Sequence, residues 1–234
     1  MCTLTFINNQ SGISITSNRD EHISRGDSKF PVTKNVNKQT ITFPQDPKAG
    51  GTWLAASSNQ RVMVLLNGAF FKHKHQPPYR LSRGIVVLDA FKYSSLKEFQ
   101  TNYHLPDIEP FTLVHFDLQS KRIEEVRWDE KTASYATYSF QEPHIWSSAT
   151  LYSSETIKER ENWFKDWVDK PDLQAEDMID FHHFGGGKTN SSTIKMKRNA
   201  VLKTVSISQI HSMPQETLFM HHVLLSNKQL TTFV

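Results

Sequence analysis

Residues 2–21 read CTLTFINNQSGISITSNRDE, and the fold turns on this stretch. CTLTFI (2–7) and ISITS (13–17) are short β-prone runs. Asn8-Asn9-Gln10-Ser11-Gly12 between them is turn chemistry, so a hairpin starts at the N-terminus. Asn18-Arg19-Asp20-Glu21 ends its second strand. In an antiparallel hairpin the end of strand two lies beside the start of strand one, which brings Arg19 and Asp20 within reach of Cys2. Cys2 is the only cysteine in the chain. After loss of Met1 it carries a thiol and a free α-amine. An α-amine titrates near ~8, so it can take the proton of its own thiol. A nucleophile and base on one residue are already oriented toward each other. An arginine beside a thiol favours thiolate, and a carboxylate beside an amine orients it. The plainer reading makes Cys2 a small apolar residue in a strand and Arg19-Asp20 a surface ion pair.

Working outward, residues 19–50 are polar, with prolines at 31, 44 and 47, and read as loop with one short strand at 39–43. WLAAS (53–57) and RVMVLL (61–66) form a second hairpin around Ser58-Asn59-Gln60, and TLVHFDL (112–118) with RIEEVRW (122–128) a third. Residues 72–83 are an exposed loop, followed by helices over 84–91 and 95–103. Thr156 to Lys170 is the clearest helix, with a capping box at Thr156-x-x-Glu159 and Ile157, Phe164 and Val168 on one face. A second helix spans 175–184, and 191–197, 200–210 and 216–226 are strands. Neighbouring strands joined by short turns give antiparallel sheets, and helices in blocks give outer layers. The expected fold is α+β, a single domain over 1–234.

The chain has 234 residues, 27 Lys plus Arg, and 24 Asp plus Glu. That balance is too mild to point to nucleic acid. No basic start followed by an apolar run marks a leader, and no apolar stretch nears the ~20 residues of a membrane span. A leaderless chain with one cysteine is expected in the reducing cytoplasm.

The N-terminal Cys with a hairpin ending in Asn18-Arg19-Asp20-Glu21 resembles the NRDE family, also called the transport and Golgi organization 2 family. Gly51-Thr52-Trp53-Leu54-Ala55, then Asn59, then a strand ending in Asn67, match that family's second block; Ser82-Arg83-Gly84 matches a third, and Lys203-Thr204-Val205-Ser206 a fourth. The family is in turn similar to N-terminal-nucleophile (Ntn) hydrolases of the choloylglycine hydrolase and penicillin V acylase type. The resemblance implies a four-layer αββα sandwich and cleavage of a linear amide through a thioester on Cys2. It implies that Arg19 and Asp20 support the nucleophile and that Asn67 helps form the oxyanion hole. Asn18, Trp53, Asn59 and Asn190 are the residues it offers for substrate binding. The hydrolases also carry a second, mid-chain Asn and a late Arg. Here Ile145 to Tyr152 contains no Asn, with Ser148 or Thr150 as alternative donors, and the late motif reads Thr189-Asn190-Ser191.

Phe184-Gly-Gly-Gly-Lys-Thr189 is not a phosphate loop, because His182 stands where the first glycine is required and the strand–loop–helix context is missing. It reads as a helix C-cap and turn, or as a cleft border with Lys188 facing an anionic substrate. Among eleven histidines, His221 and His222 point to opposite faces of a strand. His73 and His75 sit beside two lysines in an exposed loop with no carboxylate nearby, so no metal is expected. The alternative function is a haem or lipid carrier on the same scaffold. Haem would then be the cofactor, with His73, His75, His182 or His183 as ligands. Neither reading names the substrate or the oligomeric state.

Overall fold

The computed structural model describes residues 3–187 and 192–234. In chain order the elements are β1 (Thr3–Asn9), β2 (Gly12–His22), β3 (Lys29–Val36), β4 (Gln39–Gln45), β5 (Leu54–Ser57), β6 (Arg61–Asn67), α1 (Arg83–Ala90), α2 (Leu96–Asn102), β7 (Phe111–Asp117), β8 (Arg122–Trp128), β9 (Ala133–Tyr138), β10 (His144–Ser147), α3 (Ser154–Val168), α4 (Ala175–Phe184), β11 (Lys197–Arg198), β12 (Leu202–Ser212), β13 (Thr217–Val223) and β14 (Lys228–Phe233). Two compact units emerge. One comprises residues 1–28, 141–147 and 151–234; the other comprises 29–140 and 148–150.

The first unit is built on a sheet of order β10-β1-β2-β12-β13-β14, with β11 paired to β12. Every pairing is antiparallel. Its helices, α3 and α4, cover one face. Phe164, Met178, Phe181 and Ile194 pack there with Ile7 of β1. The second unit is a sheet of order β3-β4-β5-β6-β7-β8-β9, again antiparallel throughout. Its core joins Ile41, Met63, Leu65 and Leu113 of the sheet to Val86, Val87, Leu96 and Phe99 of α1 and α2. Burying a Leu or Phe side chain stabilises by about 1.5–3 kcal/mol, so these stripes hold the helices on. Among the described residues, two antiparallel sheets and four α-helices are the α+β composition expected.

The differences are local. β2 runs to His22, so Asn18 to Glu21 end the second strand as expected, and the stretch read as loop from residue 19 begins only after His22. Residues 29–45 form a hairpin through Asn37 and Lys38, whose φ values of 47° and 62° make the mirror-image turn that suits strand twist. The prolines concealed it. Pro31 and Pro44 lie opposite each other beside a register shift on edge strand β3, where a missing N–H is tolerated. The edge strands β9, β10 and β14 lack a clean hydrophobic alternation and escaped the sequence reading. Helix α3 begins two residues earlier than expected. Its cap is Ser153, whose side chain accepts from Thr156 N–H, and not Thr156. The strand expected over 191–197 reduces to Lys197–Arg198. No helix among the described residues is long and apolar enough to cross a membrane.

Candidate active site

Thr3 pairs with Asn18 across the β1–β2 ladder. Cys2, the expected nucleophile, lies outside the described residues, as do Asn190 and Lys188. Side chains alternate between the two faces of a strand. Thr3, Thr5, Asn18 and Asp20 contact groups on the α3–α4 side, so Leu4, Phe6 and Arg19 take the opposite face. Arg19 and Asp20, adjacent in sequence, are therefore not brought together.

The helix-facing side carries a dense polar array with almost no solvent contact. Asn18 Nδ2 donates to the carbonyls of His182 (3.2 Å) and Ile194 (2.9 Å). Its Oδ1 is thus the atom facing His182 Nδ1 at 2.8 Å, which assigns the ring proton to Nδ1. Nε2 then accepts from the Thr5 hydroxyl at 2.8 Å. Burial, helped by the charges of Arg160 and His183, lowers the His182 pKa to about 3, so the ring is neutral. Asp20 accepts from Tyr152 Oη at 2.7 Å and from Thr204 Oγ1 at 2.5 Å. The sheet register shifts between Thr204 and Ser206, next to the Asp20 pairing. Thr204 in turn accepts from Met196 N–H. Lys203-Thr204-Val205-Ser206, the fourth family block, thus supplies the hydroxyl that holds Asp20.

Sequence reading missed Arg160. Its side chain is fully buried. Nε donates to Ser192 O (2.9 Å), Nη1 to Thr3 Oγ1 (2.6 Å) and Nη2 to Thr193 O (2.5 Å), and the guanidinium lies 3.6 Å over the Tyr152 ring. No carboxylate among the described residues pairs with it. The signal was present: Arg160 stands three residues after Ile157 and four before Phe164, an arginine on the buried stripe of an amphipathic helix.

On the opposite face, Arg19 is buried with its Nη2 3.8 Å from Glu21. Ser28 and Ser208 hydroxyls hold His221 at Nε2 and Nδ1, each at 2.8 Å. Burial foremost, then the Arg19 charge, lowers the His221 pKa to about 3.

In the second unit Trp53 and Asn67 belong to one end of the β5–β6 hairpin, where Leu65 N–H donates to Trp53 O. Asn59 sits in the turn at the other end. Across the seven residues of β6 that is roughly 20 Å, so Asn59 is not brought to Asn67. The two donors suggested for the absent mid-chain Asn converge on Asn67. Ser148 Oγ donates to its carbonyl at 2.8 Å, and Thr150 Oγ1 lies 3.4 Å from it. Gly68 follows at φ +83°, where a Cβ would meet Thr150 Cγ2 at 2.8 Å.

The second and third family blocks meet as backbone. A Cβ on Gly51 would lie 2.4 Å from Gly84 C, and Thr52 N–H donates to Gly84 O. These glycines let α1 start against the strand entry. Arg83 beside them pairs with Glu109 at 2.9 Å.

Glu109 also corrects the reading of the histidine loop. His73 Nε2 and His75 Nδ1 lie 3.1 and 3.0 Å from its Oε1, so a carboxylate distant in sequence is brought to both. With Arg83 on the other oxygen the group is an ion-pair cluster, and no set of three metal-binding side chains forms among the described residues. His182, proposed as a haem ligand, has both nitrogens engaged. His183 is partly buried, its ring 5.5 Å from that of His222.

The fold is that of known hydrolases. An arginine-to-leucine variant of conjugated bile acid hydrolase from Clostridium perfringens superposes with a TM-score of 0.63 at 9% identity, over 99% of this chain and 92% of that one. The C2A mutant of the same enzyme gives 0.64 at 10% identity, over 100% and 92%. The Caenorhabditis elegans ortholog of N-acylethanolamine-hydrolyzing acid amidase gives 0.63 at 10% identity, over the whole of both chains. No curated protein matches the sequence. The profile of the family described as Transport and Golgi organisation 2 matches residues 1–229.

Proposed function

The chain belongs to the Transport and Golgi organisation 2 family, and from that membership we propose that it is an N-terminal cysteine amidohydrolase acting on a linear amide. One observation carries the reading. The sole cysteine is residue 2, in a chain whose whole length shares the fold of amide hydrolases, one of them studied as a mutant of its position-2 cysteine.

The steps use groups of this chain. Removal of Met1 frees the amine of Cys2. The amine takes the thiol proton as sulfur attacks the acyl carbon. The C–N bond breaks, the leaving amine takes that proton, and a thioester remains. Water, deprotonated by the same amine, attacks the thioester and releases the acid and the thiol. Arg19 is assigned to favour thiolate and Asp20 to orient the N-terminal strand through its fixed hydrogen bonds. Asn67 is assigned as a side-chain oxyanion donor, a type of group whose loss from a serine protease costs about 10²–10³ in kcat. Trp53 and Asn190 keep their assignment to the substrate; Asn18, whose amide is engaged by His182 and Ile194, and Asn59, at the far end of the β5–β6 hairpin, do not.

Intact-mass measurement tests the first step: a chain that retains Met1 has no free cysteine amine and cannot follow this route. Labelling with a thiol-reactive acyl probe tests the second, with a thioester adduct expected on wild type and none on Cys2→Ser.

A second reading, a carrier of haem or an apolar lipid, draws on one groove. Ile207 and Met220 from the sheet, with His183 and Phe184 from α4 and His222 from β13, line a cavity of about 520 Å³. Haem titration tests it: an absorbance change lost in His183→Ala favours the carrier.

A further inference from the structure

We propose that one end of the second unit's sheet is a binding site for a free α-amino acid with a polar side chain, its carboxylate on Arg61 and its ammonium group on Asp117. The proposal goes beyond the hydrolase reading and does not depend on it.

Asn59 matches a family motif, yet it lies at the far end of the β5–β6 hairpin from Asn67. There it lines a cavity of about 550 Å³ with Gln60, Arg61, Ser94, Asp117 and Gln119. Every one of these side chains is polar. Gln60 is held at a φ of 56°, in the left-handed region where glycine is the unstrained choice, and still carries an amide side chain. The side-chain amides of Asn59, Gln60 and Gln119 are exposed and have no hydrogen-bond partner among the described residues.

Two opposite charges flank this cavity without meeting. Arg61 and Asp117 are directly opposed across the β6–β7 ladder, so their side chains leave the same face of the sheet. Such neighbours ordinarily close on each other as an ion pair. Here each is held by other partners. Arg61 Nε donates to His115 Nε2 at 3.1 Å, and Nη2 donates to Tyr93 O at 2.7 Å. Because His115 Nε2 accepts, its proton sits on Nδ1, which donates to Glu124 at 2.9 Å. Glu124 also accepts from Tyr135 Oη at 2.8 Å and from Leu96 N–H at 3.2 Å. A buried carboxylate thus anchors the guanidinium through a fully buried imidazole. Asp117 accepts from Ser120 N–H at 2.9 Å and lies 3.5 Å from Arg122 Nη2. Burial opposes its charge, yet the Ser120 hydrogen bonds hold it below the usual carboxylate range.

One edge of Arg61 is left over. Nη1 is not buried and has no hydrogen-bond partner among the described residues. Burial, helped by Arg122, outweighs the attraction of Asp117, Glu124 and Glu98 and lowers the Arg61 pKa. An anion set against Nη1 relieves that cation. The chemistry of the anion is restricted by the same charges. Three carboxylates act on Arg61, against its own guanidinium and that of Arg122, and Asp117 lines the cavity itself. A phosphate meets net negative charge there. A molecule with one carboxylate and one ammonium group brings no net charge and answers both walls. The amides then favour a polar side chain, because an apolar one would desolvate them without a partner.

The experiment titrates the full chain, isotope-labelled and followed by NMR of its side-chain amides, with L-asparagine, L-asparagine methyl ester, N-acetyl-L-asparagine and inorganic phosphate. L-asparagine is expected to bind with a Kd of about 1 mM or tighter, shifting the Asn59, Gln60 and Gln119 amide signals. The ester lacks the carboxylate and the acetyl compound lacks the ammonium group. Each is expected to bind at least about tenfold more weakly, the effect of one lost charge-assisted contact. The variants are Arg61→Gln, Asp117→Asn and Asn59→Ala, with thermal melts checking that each is folded. Arg61→Gln and Asp117→Asn are each expected to weaken L-asparagine about tenfold, and Asn59→Ala about threefold. Arg61→Gln is also expected to erase the preference over the ester, and Asp117→Asn the preference over the acetyl compound. A folded Arg61→Gln that still rejects the ester overturns the proposal. If Arg61→Gln does not fold, Asp117→Asn decides, and a wild-type affinity in that variant overturns it. Phosphate bound more tightly than L-asparagine overturns it in favour of a plain anion site. Wild type that does not saturate below about 10 mM L-asparagine overturns it outright. The hydrolase reading, tested at Cys2, stands or falls apart from all of these results.

Discussion

Asn18 stood out in the sequence as part of a site motif, and the structure gives it a second task. One side-chain amide satisfies the His182 ring and the main-chain carbonyls of His182 and Ile194, anchoring the C-terminal half of α4 to β2. Asn18→Ala leaves three buried polar groups without a partner, at about 1–3 kcal/mol each before relaxation. The expected loss is roughly 3 kcal/mol in urea unfolding. A loss under ~1 kcal/mol would show that water replaces the amide. Such partners were not legible because His182 and Ile194 lie more than 160 residues away, and no local pattern encodes which distant carbonyl an amide will meet. Arg160 was legible in principle. A charged residue on an apolar helical stripe is a local irregularity, and it marked a fully buried cation with three hydrogen bonds.

At the scale of elements, the strands and helices with strong periodicity were readable, and those resting on tertiary partners were not. β3 and β14 are edge strands exposed along most of their length, so the two-residue alternation that advertises a half-buried strand is absent. The turn signals were sounder guides to function-like motifs than to their meaning. Gly51 and Gly84 belong to two of the stretches that resemble family motifs, and what joins them is a close backbone approach. Gly51→Ala forces a Cβ to 2.4 Å from the Gly84 carbonyl carbon. Because backbone and not a flexible side chain must yield, the expected cost is about 3 kcal/mol, the upper end of the overpacking range. The start of α1 should lose hydrogen-exchange protection before the rest of its unit. Ser153→Ala, removing the cap hydroxyl of α3, should cost about 1 kcal/mol, whereas Thr156→Ala should cost less; the reverse order would restore the capping box read from the sequence.

For the whole molecule, the buried histidines set the response to acid. His182 and His221 have folded-state pKa values lowered to about 3, against about 6.5 in an unfolded chain. Their stabilisation is complete above pH ~6.5 and is lost as pH falls toward ~3, because the unfolded state binds protons that the folded state refuses. Each contributes a slope of about 1.4 kcal/mol per pH unit within that window. In the other unit Glu124 is held below the usual carboxylate range against its own desolvation, by hydrogen bonds from His115 and Tyr135, which adds a further loss below ~4.3. Urea unfolding at pH 7, 5.5 and 4.5 should show falling stability throughout, and a His221→Gln variant a shallower decline. A flat profile above pH 4.5 would refute the neutral assignments.

The sheet order has a consequence in time. β2 pairs with β12, and the hydrogen bond between Thr16 and Gln209 spans 193 positions of sequence. The unit at residues 29–140 draws nearly all its chain from one continuous run. It can finish while the other still waits for its later strands. At synthesis rates of about 5–20 residues per second, that wait is on the order of 10–40 s. Throughout it, the β1–β2 hairpin carries an open edge and a row of hydrated polar side chains that only the last third of the chain will cover. A nascent chain stalled at residue 200 should therefore be cut by protease within residues 3–22 while 29–140 resists. The segment that bears the candidate chemistry is the first strand pair to be made and among the last to be sealed.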